Sequence, residues 1–277
     1  MKIRVLKKLS ALLAALLALT LTFFAVTGCS EKSDMKKNAS GTAIALGHGN
    51  CVTEATVITD GFGRVKRVLF DDIFPASNVY NNTALGTDAE IVSVSGKDYY
   101  KYLRIGDKYF SVGENGIYSE IGATGGITDL MNYYKTPAGV RWYYESFLSG
   151  NLYICKESEE GKAVGDVKLA DKYKFNTQYG SMRKRYSRYW STQGSDLGQV
   201  SGLGFVGNMD MLENYLLEYG FDAIGSENAI ALPKSENNSS NRNVIGGVTT
   251  GATLSKDTAI YLNTAKEAYN KAMEAAK

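Results

Sequence analysis

The sequence is poor in the residues that do acid–base and metal chemistry. In 277 residues it holds one histidine, three cysteines and three prolines. A lone His48 cannot build a histidine-based metal site, and no C-x-x-C pair is present to replace it. Any Ser-His-Asp or Cys-His machine would have to use that same residue, which stands in Gly47-His48-Gly49 and reads as a turn histidine. No residue is therefore assigned to metal binding or to catalysis, and redox chemistry would have to come from a cofactor. Cys51 and Cys155 lie far apart in the chain. Pairing in an oxidising exterior and two buried thiols both agree with that spacing.

What is present begins at residue 1. Lys2, Arg4, Lys7 and Lys8 crowd the first eight residues, and an uncharged run rich in Leu, Ala and Phe follows from Leu9 to about Val26. This is a charged n-region followed by an apolar h-region. The run approaches the length of a membrane-spanning helix. Its ending, Val26-Thr27-Gly28-Cys29, resembles instead the lipobox of bacterial lipoproteins. The resemblance implies a signal peptide over 1–28, a lipid on Cys29, and a chain held on the extracytoplasmic side of the cell membrane. Two acyl chains on one cysteine suffice for stable anchoring.

Removing the four basic residues of the leader leaves 27 Lys and Arg against 29 Asp and Glu, a net charge of −2. The mature chain thus has no global basic field for nucleic acid. Its 249 residues are ample for a sizeable core. Residues 29–40 read as a lipidated flexible tether, since 30–40 are polar and charged. Strands are expected at Thr42–Leu46, Cys51–Ile58 and Val65–Phe70, with a turn at Asp60-Gly61. Residues 71–90 read as loop, and Val92–Val94 and Tyr99–Val112 as strands. Helices are expected over 127–134 and 137–148. The second has Val140, Tyr143, Tyr144 and Phe147 on one face, Thr136-Pro137 as its start and Gly150 as its stop. Arg183, Lys184, Arg185 and Arg188 stand among Tyr186, Tyr189 and Trp190 and read as a solvated segment, or as a surface for anionic partners. Met209–Leu217 is a short amphipathic helix, and 237–243 a polar loop. A last helix runs from an N-cap at Ser255 to the end, with Leu262, Ala265, Tyr269, Ala272 and Ala276 on one stripe.

Just before that helix stands Val248-Thr249-Thr250-Gly251-Ala252-Thr253-Leu254-Ser255. Small and hydroxyl-bearing residues at a loop entering a helix place backbone N–H groups and the positive helix end together, which favours phosphate. Gly251 permits close approach of the backbone to a ligand. Thr250-Gly251-Ala252-Thr253, with Ser255 and a C-terminal helix after it, resembles the flavinylation motif of the FMN-binding domain family. The Gly-rich opening strand and Asp-Gly turn of 41–70 are similar to that family's start. Combined with the lipobox, the match is to its electron-transfer lipoproteins of Gram-positive bacteria. The resemblance implies FMN held as a phosphoester on Thr253, added by a flavin transferase. Thr250, Gly251 and Ala252 would shape the loop, and Ser255 would lie near the phosphate. It covers roughly 41–70 and 205–277. The family usually has Asp where Gly247 stands here, and residues 71–208 would be a large insertion or second subdomain.

The expectation is an α+β protein: an antiparallel sheet with flanking helices and an FMN-binding-domain-like core spanning 41–277. Electrons would come from a membrane quinone-linked donor and pass to extracellular acceptors. Tyr99, Tyr100, Tyr133 and Tyr134 could flank the ring, though core filling explains them as well. Gly122-Ala123-Thr124 repeats part of the motif and reads as a helix-start loop or a second flavin site. Two rivals stand beside this reading: a cofactor-free binding or adhesion lipoprotein, and a flavin-dependent extracellular reductase.

Overall fold

The structure is a computed structural model that describes residues 37–75, 90–125, 127–157, 169–174, 181–187, 203–222, 224, 230–231, 243–254 and 258–277. The leader, Cys29, Arg188 and Ser255 lie outside the described residues, as do 76–89 and 237–242. Among the described residues, no helix is long and apolar enough to cross a membrane.

The chain folds as an α+β protein, with antiparallel sheets and packed helices. Three strands open it: β1 (Ala39–Leu46), β2 (Val52–Thr59) and β3 (Val65–Ile73), in that order and all antiparallel. His48–Asn50 forms a short 3-10 turn between the first two. Asp60 shapes the β2–β3 turn, its Oδ1 accepting from the amides of Phe62 at 2.9 Å and Arg64 at 3.0 Å. Two boundaries differ from expectation. Ala39 and Ser40 belong to β1 rather than to the tether, and β3 runs three residues past Phe70.

The middle of the chain builds a second sheet of five antiparallel strands. Their spatial order is β10 (Leu169–Lys174), β9 (Leu152–Glu157), β6 (Tyr102–Ile105), β7 (Lys108–Val112) and β8 (Tyr118–Glu120). A separate hairpin, β4 (Ile91–Val94) and β5 (Lys97–Tyr100), precedes it. Two helices follow β8: α1 (Leu130–Tyr134), shorter than its pattern implied, and α2 (Pro137–Leu148). The second has the expected bounds, with the Thr136 hydroxyl capping the Gly139 amide at 3.0 Å. Such a cap satisfies one of the orphan donors of the first turn.

Two helices cover the first sheet, α3 (Gly204–Tyr219) and α4 (Thr258–Ala275). Their apolar faces meet Ala43, Ala55, Val57, Val68 and Phe70 in one hydrophobic cluster. A second cluster joins the five-stranded sheet to α1 and α2, and Val52 and Ile73 of the first sheet, with Phe74 just after it, reach into it. Tyr100 and Tyr134 are fully buried there, and Tyr99 and Tyr133 pack against it. Cys51 and Cys155 are buried too, the first within that cluster.

A charged network lies where the two clusters meet. Lys184, fully buried, puts its ammonium 3.2 Å from Asp72 Oδ2. The same carboxylate accepts from Thr53 at 2.8 Å and from the Tyr261 hydroxyl at 2.7 Å. The Lys184 ammonium also faces the rings of Phe74 and Phe205, at 6.0 and 5.8 Å. Arg183 bridges Asp71 at 3.1 Å and Glu54 at 3.2 Å. Arg185 reaches Glu213, Asp210 at 3.2 Å and the Phe70 carbonyl at 2.9 Å. Burial pushes the Asp71 carboxyl above its usual range, against the pull of the Arg185 amide and the Arg183 guanidinium. Neither sequence reading of Arg183–Arg185 stands. These cations are neither a solvated segment nor a surface for anions, because acids on β2, β3 and α3 consume their charge. Removing one partner of such a pair leaves a buried charge uncompensated. Lys184→Met is therefore expected to lower unfolding free energy by about 3–5 kcal/mol, read as a drop in the urea midpoint at unchanged slope.

Candidate functional site

The Thr250–Thr253 segment follows a very short hairpin. Strands β12 (Val244–Ile245) and β13 (Val248–Thr249) pair antiparallel, and β11 (Ile230–Ala231) pairs β12 on its other side. Gly246 and Gly247 make the two-residue turn, with φ of 56° and 81°. Positive φ at both central positions is what a tight hairpin of this length demands, and glycine meets it without strain. At Gly247 this backbone strains any residue with a Cβ, so glycine there has a structural reason of its own.

Two buried asparagines hold the segment that follows. Asn243 offers its side-chain carbonyl to the Leu254 amide at 2.9 Å and donates to the Leu254 carbonyl at 2.7 Å. Its main chain adds two bonds, donating to the Ala252 carbonyl and accepting from the Thr250 amide, both at 2.8 Å. The Thr250 hydroxyl donates to the Asn243 carbonyl at 3.0 Å and accepts from the Ala252 amide at 3.2 Å. Asn208, on α3, accepts from the Thr253 amide at 2.7 Å and from the Thr253 hydroxyl at 3.2 Å. Its own amide group donates to Gly204 at 2.8 Å, one turn back. Gly251 packs so closely on α3 that a Cβ there would lie 2.1 Å from Met211 Sδ.

The segment is thus packed and internally bonded. Thr250, Ala252 and Thr253 are all buried, Thr253 at 2% exposure. The amides of 252, 253 and 254 already have side-chain acceptors, so they do not form the open cradle of N–H groups that the sequence reading pictured. Ser255 lies outside the described residues. Neither asparagine was singled out from the sequence. Asn243 read as the end of a polar loop and Asn208 fell just before the expected helix.

Two features beside the segment bear on ligand binding. A pocket of about 170 Å³ lies between α3 and the hairpin, walled by Met211, Asn214, Tyr215, Glu218 and Tyr219 on one side and Val248–Gly251 on the other. Tyr215 and Tyr219 stack with ring centroids 5.1 Å apart, and the Tyr215 hydroxyl donates to Ile245 at 3.2 Å. Burial raises the pKa of Tyr215, and a hydrogen bond with Glu218 raises that of Tyr219, so both remain neutral phenols at physiological pH. The second feature is Thr258, the first residue of α4. It is fully buried, and its hydroxyl has no hydrogen-bond partner among the described residues. An orphaned buried hydroxyl costs about 1–3 kcal/mol and calls for an explanation. Its position at the positive end of an 18-residue helix matches an anion as the missing partner.

The remaining candidates lie elsewhere. Gly122-Ala123-Thr124 is an exposed turn after β8, with φ of 73° at Gly122, and no pocket surrounds it among those described. The tyrosines at 99, 100, 133 and 134 belong to the cluster of the five-stranded sheet, whereas Ala252 and Leu254 belong to the other. Core filling describes them. No group of acids, cysteines and histidine that could hold a metal ion occurs among the described residues.

No family model, no curated protein and no solved structure matches this chain. The site stands on its own geometry.

Two substitutions test that geometry. Asn208→Ala should destabilise the fold by about 1–3 kcal/mol by stranding the Thr253 amide, and should raise protease sensitivity around residue 253. Thr258→Val in the unmodified protein should be neutral or slightly stabilising, since it removes an unsatisfied hydroxyl. A loss of 2 kcal/mol or more (~2, the cost of breaking a made bond) would show that Thr258 has a partner in the resting fold.

Proposed function

We propose that the mature protein is a lipid-anchored, extracytoplasmic flavoprotein that carries electrons, with FMN attached covalently to Thr253. The observation that carries this reading is the orphaned Thr258 hydroxyl at the start of α4. It stands five residues after the threonine that the motif resemblance marks for phosphate attachment, at the helix end that favours negative charge.

The residues present suit the group. Thr253 would carry the phosphoester, with the Thr258 hydroxyl and the α4 N-terminus as phosphate partners. Thr250, Gly251 and Ala252 hold the loop in place through Asn243. The tyrosine pair beside Thr249–Gly251 offers an aromatic wall of the kind that flat rings favour. FMN, when bound, supplies reversible one- and two-electron chemistry that needs no histidine. Asn208 has the part of a positioning residue: its side-chain carbonyl oxygen accepts a hydrogen bond from the Thr253 hydroxyl and sets that hydroxyl's direction. Because this bond turns the hydroxyl inward, a flavin transferase must act on an opened form of the loop. The donor would be a membrane quinone-linked enzyme and the acceptor an extracellular one. A covalent link suits a location where a released cofactor is lost by dilution.

A cofactor-free binding lipoprotein is the second reading, and the burial of the Thr253 hydroxyl favours it. The two part on one measurement, the intact mass of the protein after co-expression with a flavin transferase. We expect the parent to gain one FMN minus water, Thr253→Ala to gain nothing, and Thr253→Ser to recover the adduct. A parent that stays colourless and unmodified, while folded by circular dichroism, establishes the cofactor-free reading.

A further inference from the structure

One end of the first sheet combines features that the electron-carrier reading does not use. The chain enters the fold at β1, where Ala39 pairs with Thr59, the last residue of β2. The β2–β3 turn therefore lies beside the point where the tether arrives. That turn presents Phe62 at 83% exposure, the most exposed of the large apolar side chains described. Arg64, Lys66 and Arg67 follow it, all exposed. The Arg64 guanidinium lies 5.9 Å from the Phe62 ring centre. Against these cations stand Asp60, already engaged with Lys66 at 3.3 Å and with the turn amides, and Glu213, whose carboxyl feels the Arg67 charge. The helices end here too: Gly63 touches Tyr269 and Met273 of α4. The α3 terminus, with exposed Leu217 and Asp222, walls a cleft against Gly63–Lys66. Glu274, also exposed, is the nearest acid in sequence on α4.

We propose that this end is a membrane-docking surface: Phe62 seats in the lipid–water interface, and Arg64, Lys66 and Arg67 face anionic headgroups. The proposal rests on the lipid anchor at Cys29. Nine residues, Ser30–Asn38, separate that cysteine from β1. Fully extended they span at most about 35 Å, so the bilayer is always within reach of the Phe62 turn. One aromatic ring and three cations bind a membrane weakly alone. Joined to an anchor, their docking becomes an intramolecular event at high effective concentration. Aromatic rings settle at headgroup level, and basic side chains beside them are drawn to anionic lipid. Docking would also orient the protein. The first residue of α4 lies about 27 Å along the helix from its end near Phe62, by helical rise. The N-terminus of α4 then lies on the side of the fold away from the lipid, while the Tyr215–Tyr219 pair lies toward it.

The test uses the full chain, produced in a bacterium that processes lipoproteins and reconstituted in vesicles of three parts phosphatidylcholine to one of phosphatidylglycerol. Phe62→Cys carries an environment-sensitive nitrobenzoxadiazole dye, and Glu114→Cys, on the exposed β7–β8 turn, carries the same dye as a control. Cys51 and Cys155 are buried and stay unlabelled. We expect a blue shift and a several-fold loss of iodide quenching at position 62, no change at 114, and reversal by Arg64→Glu with Lys66→Glu. A lipidated chain whose position 62 stays as exposed as 114 overturns the docking surface alone. A chain recovered without lipid on Cys29, by mass, overturns the anchor and the docking surface with it. Protection at 62 that requires membrane proteins and is absent from pure lipid overturns the lipid surface in favour of a protein partner.

Discussion

The contact between Lys184 and Asp72 is the constraint on which the two halves of this fold depend. An ammonium group buried completely would be expelled or neutralised unless a carboxylate met it and further donors filled the remaining lone pairs. Asp72 meets it, and Thr53 and Tyr261 saturate the carboxylate from β2 and α4. Phe74 looks on from the cluster of the five-stranded sheet and Phe205 from the cluster under α3 and α4. The pair can be satisfied only when both clusters have closed around it. It therefore ties the middle of the chain to its two ends in one register. Hydrophobic burial supplies the driving force, and the ion pair rejects arrangements in which either sheet has slipped.

The segment around Thr253 depends on the same closure. Asn208 reaches the Thr253 amide from α3, and α3 is held on β3 by Glu213, which accepts from the Phe70 amide at 2.8 Å and pairs with Arg185. Arg185 is the residue after Lys184. A path of one peptide link and then side-chain bonds thus runs from the buried pair, through Arg185 and Glu213, to the helix that clamps the loop. Opening this segment would work against Asn208 and Asn243 and against the burial of Ala252 and Leu254 in the core.

The sequence disclosed what local chemistry decides. Thr136-Pro137 and the stripe of Val140, Tyr143, Tyr144 and Phe147 marked α2 to the residue, because cap, first turn and buried face all lie within one window. The Asp60-Gly61 turn was legible for the same reason. What stayed hidden depends on distant partners. Asp71 and Asp72 looked like the start of a loop, yet they lie within β3, because cations 112 residues further along neutralise them. Arg183–Arg185 looked like surface from the other side of the same pairing. At the candidate site, the Thr250–Thr253 motif was visible as a pattern. The clamps were not, since a buried asparagine has no periodicity and is told from a loop asparagine only by what surrounds it.

Two hydroxyls five residues apart are treated oppositely. The Thr253 hydroxyl is satisfied and turned inward, while the Thr258 hydroxyl is buried and has no partner among the described residues. A segment built only to start a helix has no reason to keep the second arrangement, because valine would fill the same space without stranding a donor. A segment built to receive a phosphate has reason for both. On the proposed flavoprotein reading, the resting loop would hold the attachment oxygen on Asn208 and the helix end would keep a donor for the arriving phosphate. The buried threonine at 253 would then be the closed state of a site, and a bound phosphate would relieve the cost held at 258.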